Sequence, residues 1–95
     1  MIHILTYTFI PNYLEERIPY RSDHFEHLKP HINKGELLLG GATESDNPQG
    51  VLVFDKLNLE EIEQFANTDP YVINKIAITY KIEKWNVVAG SLFEK

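Results

Sequence analysis

Residues Ile2 to Ile10 read Ile-His-Ile-Leu-Thr-Tyr-Thr-Phe-Ile and stop at Pro11. β-Branched and aromatic side chains without helical spacing mark a strand. Alternation puts Ile2, Ile4, Thr6, Thr8 and Ile10 on one face and His3, Leu5, Tyr7 and Phe9 on the other. Both faces are largely apolar, whereas a strand with one wet face would alternate apolar with polar. The chain must therefore build a sheet that is covered on each side.

The remaining segments supply such a sheet. A turn through Asn12 to Ile18 leads to Pro19, which suits the first position of a helix because its missing N–H costs nothing there. Phe25, Leu28 and Ile32 then fall on one helical face, and Gly35 stops the segment. Pro30 predicts a kink or an early end, since it removes one backbone bond and presses on the carbonyl of Glu26. Glu36 to Ala42 reads as a second strand closed by Gly40-Gly41, whose glycines fit a bulge or a close approach to a ligand. After the turn Asp46 to Gly50, Val51 to Lys56 reads as a third strand. Asn58 can cap a helix with Leu59, Ile62, Phe65 and Ala66 inward, broken at Asp69-Pro70 and followed by a short turn from Tyr71 to Lys75. Ala77 to Val88 is the last strand and Gly90 to Lys95 a tail.

The order βαββαβ predicts an α+β, ferredoxin-like sandwich: a four-stranded antiparallel sheet with helices on one face. The open face would expose either Leu5, Tyr7 and Phe9 or the Ile/Thr set, plus apolar residues from Val51 to Phe54. That is more apolar area than a monomer normally shows, so the expectation is a homodimer packed sheet to sheet.

At 95 residues the chain is read as one domain spanning 1–95. A hydrophobic fraction of 43% argues against disorder, and a net charge of −5 makes nucleic acid a poor partner. No cationic amphipathic stripe points to a membrane surface, and the apolar runs are too short to span a bilayer. Met1 leads into Ile2-His3-Ile4-Leu5 without a basic region or cleavage site, so the expected location is the cytoplasm. With no cysteine there is no thiolate nucleophile and no Cys-based metal site.

Chemistry is concentrated in two short segments. Arg21-Ser22-Asp23-His24 opens the first helix, and Asp69-Pro70-Tyr71 ends the second. If folding joins these ends, His24 gains a carboxylate partner and becomes half of a general acid/base site. The plainer readings are a partly buried His24 bonded to a backbone carbonyl, and an Asp69 that only begins a turn. Asp23 fits a first-turn acid favoured by the helix dipole, and Arg17 and Arg21 fit solvated residues. His27 and His31 stand at i and i+4, a metal-clip spacing, with no third ligand in view. They lie off the Phe25/Leu28/Ile32 stripe, as solvated residues would. No phosphate-loop or nucleophile-elbow pattern occurs.

The chain resembles the YciI-like family of small dimeric α+β proteins. The match runs over nearly its whole length: Leu14-Glu15-x-Arg17, Arg21-x-x-His24-x-x-x-Leu28, Gly35-x-Leu37-Leu38, Gly41, Phe54, Asp69-Pro70-Tyr71 and a late Trp85. The resemblance implies a His–Asp dyad, carried here onto His24 and Asp69. Lys75 stands where a Gly often follows the Asp-Pro-Tyr turn, Pro30 and His31 replace apolar helix residues, and the Thr43–Gln49 loop is short. Related groups include enzymes that eliminate chloride from a chlorinated muconate, muconolactone isomerases and small monooxygenases; a shared fold does not transfer chemistry.

The leading expectation is a small-molecule lyase or isomerase without a cofactor. His24 would move a proton, Asp69 would orient it, Arg21 would pair with a substrate carboxylate, and Tyr71 and the backbone near Gly41 would shape the pocket. The rival is a non-catalytic dimer that binds a small anionic metabolite through His24 and Arg21. A cofactor-free monooxygenase ranks third, and a purely structural dimer leaves Arg21, His24 and Asp69 unexplained.

Overall fold

The computed structural model describes residues 1–92. Its four strands are β1 (Ile2–Phe9), β2 (Leu37–Ala42), β3 (Gln49–Asp55) and β4 (Ala77–Trp85), in the spatial order β2-β3-β1-β4. Every neighbouring pair is antiparallel. Between them lie α1 (Tyr13–Glu16), a 3₁₀ turn (Ile18–Tyr20), α2 (Arg21–Asn33), α3 (Leu59–Thr68) and α4 (Pro70–Ile73). This is the expected α+β arrangement, with β1 and β3 at the centre of the sheet. Among the described residues no helix is long and apolar enough to cross a membrane.

The pleat settles which face of β1 meets the helices. Leu5, Tyr7 and Phe9 join Leu52 and Phe54 of β3 in one core with Leu28 of α2 and Ile62, Phe65 and Ala66 of α3. Ile2, Ile4, Thr6 and Thr8 take the opposite face. In register with them are Asp55, Val53, Val51 and Gln49 of β3 and Trp85, Glu83, Lys81 and Thr79 of β4. Leu52 and Phe54 therefore belong to the helix-covered side, and only Val51 and Val53 of that run share the open face.

Local chemistry explains the helix boundaries. Asn58 accepts from the Glu61 N–H while Glu61 accepts from the Asn58 N–H, a complete capping box that starts α3. Leu59, expected inward, is half-exposed, because the buried stripe begins one turn later at Ile62. Pro70 disfavours a helical Asp69, so α3 ends at Thr68 and α4 restarts with Pro70 in its first turn.

Several expectations are corrected. The stretch before Pro19 holds a four-residue helix rather than only a turn, and α2 begins at Arg21, after a 3₁₀ turn that contains Pro19. Pro30 does not end α2, which continues to Asn33. It sits in the last turn, where one missing donor is tolerable, and the Lys34, Gly35 and Glu36 N–H groups close the end on the Pro30, Ile32 and His31 carbonyls. The register shift of β2 falls between Leu37 and Leu39, not at Gly40-Gly41. β4 ends at Trp85, three residues short of Val88. The expected tail from Gly90 begins within the described residues and runs beyond them.

The largest correction concerns the face of α2. Phe25 and Ile32, taken as core positions, are 48% and 52% exposed, while His24 and Leu28 are buried. The inward arc is His24, His27, Leu28 and His31, spaced i, i+3, i+4 and i+7. Three of these four are polar by any hydropathy measure. An apolar search selects the neighbouring stripe instead.

Candidate active site

Asp69 is the hub of the site, with 0% of its surface exposed. Its extended backbone (φ −68°, ψ 127°) is what a residue before proline adopts. That conformation lets its Oδ1 accept the Tyr71 N–H at 2.9 Å, capping α4. The same oxygen lies 2.8 Å from His24 Nδ1, across from the first turn of α2. Oδ2 accepts the Tyr7 hydroxyl of β1 at 2.7 Å. Three donors from three elements thus converge on one buried carboxylate, an arrangement that satisfies a charge away from water.

This geometry assigns the histidine tautomer. A carboxylate only accepts, so the neutral imidazole carries its proton on Nδ1 and keeps the lone pair on Nε2. Among the described residues Nε2 has no hydrogen-bond partner, and His24 is part of the wall of a cavity of about 450 Å³. Tyr71 stacks flat on the His24 ring, with centroids 3.8 Å apart and planes within 6°, and fixes its orientation. Phe25 meets the same ring edge-on.

Burial and the neighbouring Asp69 charge push the Tyr7 hydroxyl far above the ordinary phenol range, so it acts there as a permanent donor. Burial also raises Tyr71, an effect opposed by the positive charges of Arg17 and Arg21. Its phenol remains protonated at neutral pH.

The cavity brings together in its walls Arg21, His24, Tyr71 and Gly41, four of the five candidates named from the sequence. Asp69 stands behind His24, outside the wall. A Cβ at Gly41 would meet nothing within 4 Å, so its side of the cavity is open. Asp69 also begins a turn, as its plainer reading held, so one side chain does both jobs. The plainer reading of His24 is corrected, because its partner is a carboxylate rather than a backbone carbonyl.

The sequence reading missed Tyr7, Arg17, Phe9 and Phe25 as site residues. Tyr7 carried a usable signal: a tyrosine between Leu5 and Phe9 on a buried strand face needs a partner for its hydroxyl. His27 and His31 were expected in solvent. Instead His27 Nε2 bonds the Phe65 carbonyl at 2.8 Å, and His31 Nδ1 lies 2.8 Å from Glu36 Oε1. Both rings pack on Phe65. Among the described residues no group of three or more His, Cys, Asp or Glu side chains could hold a metal ion.

Comparison with known proteins follows the same lines. The family model for the YCII-related domain matches residues 1–86. The chain belongs to that family. Its structure is similar to that of 5-chloro-2-hydroxyhydroquinone dehydrochlorinase (TftG) from Burkholderia phenoliruptrix AC1100, solved with 2,5-dihydroxybenzoquinone. The two share 21% identity and a TM-score of 0.76, over 90% of this chain and 94% of the other. At that identity the likeness establishes the fold. No curated protein matches the sequence.

Proposed function

We propose that this chain is a small-molecule acid/base enzyme of the lyase or isomerase class, acting on an anionic substrate. The observation that carries the reading is His24, bonded through Nδ1 to buried Asp69, in the wall of a cavity and with no partner for Nε2 among the described residues. The similar structure of a dehydrochlorinase fits a small-molecule catalytic role.

In the proposed cycle Nε2 takes a proton from a carbon next to a carbonyl. The C–H electron pair moves into the enolate, and the imidazolium is stabilised by Asp69 through Nδ1–H. The enolate then either expels a β leaving group with its electron pair or takes the proton back at another carbon. The first outcome is elimination and the second isomerisation. Arg21 pairs with the substrate carboxylate, and Tyr71 and the backbone near Gly41 bound the pocket. The protonated Tyr71 phenol is a donor suited to the developing oxyanion. Such positioned proton transfer contributes on the order of a hundred- to ten-thousand-fold, enough for an activated substrate.

The working form in this proposal is a homodimer joined through the open sheet face, where Ile4 pairs with Val53 and Thr6 with Val51. A monomer by light scattering at micromolar concentration would overturn that part.

The test is turnover of carboxylate-bearing carbonyl and enol compounds by wild type, His24→Ala and Asp69→Asn. Both variants are expected to fold and to lose activity. Equal turnover in all three would sink the proposal. Saturable thermal stabilisation without any product would return the chain to the binding-protein reading. Independently of any substrate, the imidazole NMR resonances of His24 should shift in Asp69→Asn, because Nδ1 loses its carboxylate partner.

A further inference from the structure

Two arginines line the His24 cavity, and the cycle above uses only one. Arg17 follows α1 and Arg21 opens α2; both line the cavity. Each lies over an aromatic ring: Arg17 Cζ is 5.3 Å from the Tyr13 centroid and Arg21 Cζ is 5.0 Å from that of Phe25. Neither takes part in any ion pair among the described residues, although the chain has 14 acidic side chains against 9 basic ones. Two unpaired cations beside one phenol, in an otherwise acidic protein, form a local field that attracts an anion.

Arg17 is also held in place. The Phe9 and Tyr13 rings stack with centroids 4.4 Å apart and planes within 3°. Phe9 has room because residue 50 is glycine: a Cβ there would come within 2.7 Å of Phe9 Cζ. A line of contacts thus runs from Gly50 through Phe9 and Tyr13 to the Arg17 guanidinium. Such a platform fixes a long side chain before any ligand arrives and lowers the entropy lost on binding.

We propose that Arg17 and Arg21 together seat an oxyanion group carried at one end of a flat apolar ligand, with the Phe9–Tyr13 stack positioning Arg17 for it. The oxyanion follows from two guanidiniums in the lining of one cavity, each of which suits a group with two acceptor oxygens. The flat body follows from the walls: the aromatic side chains of His24, Phe25 and Tyr71 on the helix side, and the side-chain-free Gly40-Gly41 on β2. Leu28 and Leu52 add apolar surface and no donors. The inference rests on reading this cavity as the substrate pocket, and it adds Arg17 and the ligand's shape and charge to that reading.

Calorimetry with three unreactive probes tests it: benzoate, its neutral isostere benzamide, and the puckered cyclohexanecarboxylate. Benzoate is expected to bind about tenfold or more tightly than either of the others, and to weaken as salt is raised. Arg17→Met should cost benzoate about tenfold and leave benzamide unchanged. Tyr13→Phe should keep benzoate affinity and Tyr13→Leu should lose it, because only the ring carries the platform. Arg17 is only half-buried, so its variant stays informative even if Tyr13→Leu unfolds.

The proposal is overturned by equal binding of benzoate and benzamide, by an Arg17→Met variant that binds benzoate like wild type, or by no benzoate binding up to about 10 mM. The response of His24 to Asp69→Asn is read without ligand. Failure of the seat and failure of the acid/base pair therefore give different results.

Discussion

The two ends of α2 carry the same pair of groups in different surroundings. At its start His24 Nδ1 lies 2.8 Å from Asp69, and at its end His31 Nδ1 lies 2.8 Å from Glu36. The Asp69 side chain is 0% exposed and has two further donors, whereas the Glu36 and His31 side chains are 18% and 25% exposed. His24 lines a cavity; His31 makes T-shaped contacts with Phe54 and Phe65 in the core. Distance alone does not distinguish the two pairs. Burial of the acid, its extra donors and the cavity beside the imidazole set the candidate site apart from the pair at the other end.

The sharpest way to break this comparison is to remove each acid. Asp69→Ala leaves the Tyr7 hydroxyl, the Tyr71 N–H and His24 Nδ1–H without their acceptor inside the protein. We expect a loss of about 3–5 kcal/mol in urea unfolding. Glu36→Gln at the other end is expected to cost less than about 1 kcal/mol, since water reaches both partners. Equal costs would mean that the two ends do not differ in the way described.

The Asp69 end of this contrast was legible in the sequence; the His31–Glu36 end was not, and that has a physical cause. The strand and helix order could be read because β1, β3 and α3 follow simple apolar periods. Asp69-Pro70-Tyr71 could be read because proline dictates the backbone before it. The orientation of α2 could not. Its buried arc is built from histidines satisfied by Asp69, by the Phe65 carbonyl and by Glu36, and such partners become visible only once the chain is folded. Phe25 and Ile32 misled because apolar side chains lining a pocket look like core in a one-dimensional pattern. Tyr7 and Arg17 depend on the pleat of β1 and on an aromatic stack across elements, neither of which has a local signature.

A second experiment sharpens the comparison at the buried end. Tyr7→Phe removes one of the donors to Asp69 and is expected to cost about 1.5–3 kcal/mol at neutral pH, the range for a bond to a charged group. The sign of its pH dependence follows from the raised folded pKa. Unfolded, the phenol releases its proton near its ordinary value of 10.0, while the folded protein keeps it. The unfolded state therefore binds fewer protons above that pH, and stability falls as pH rises. Wild type should lose stability through this alkaline range more steeply than Tyr7→Phe. Tyr71, also raised, leaves a residual slope in the variant. Parallel alkaline unfolding curves would show that Tyr7 is not the buried donor it is taken to be.

The smallest expected effect concerns how the two regions are closed. Each is followed by a residue in the left-handed region: Gly35 at φ +71° after α2, and Lys75 at φ +59° after α4. The first is the residue type that this backbone favours, and the second is not. Lys75→Gly should stabilise the protein by about 0.5–1 kcal/mol, because relief of the Cβ clash outweighs the larger chain entropy of glycine in the unfolded state. Gly35→Ala should destabilise by about 1 kcal/mol for the converse reason. The Lys56 Nζ found 3.2 Å from a Cβ at Gly35 is the end of a flexible chain and moves aside, so the backbone sets that cost. If Lys75→Gly instead lowers the melting temperature, the lysine side chain makes a contribution that offsets its strained backbone. The loop after Asp69-Pro70-Tyr71 would then be held by more than its turn geometry.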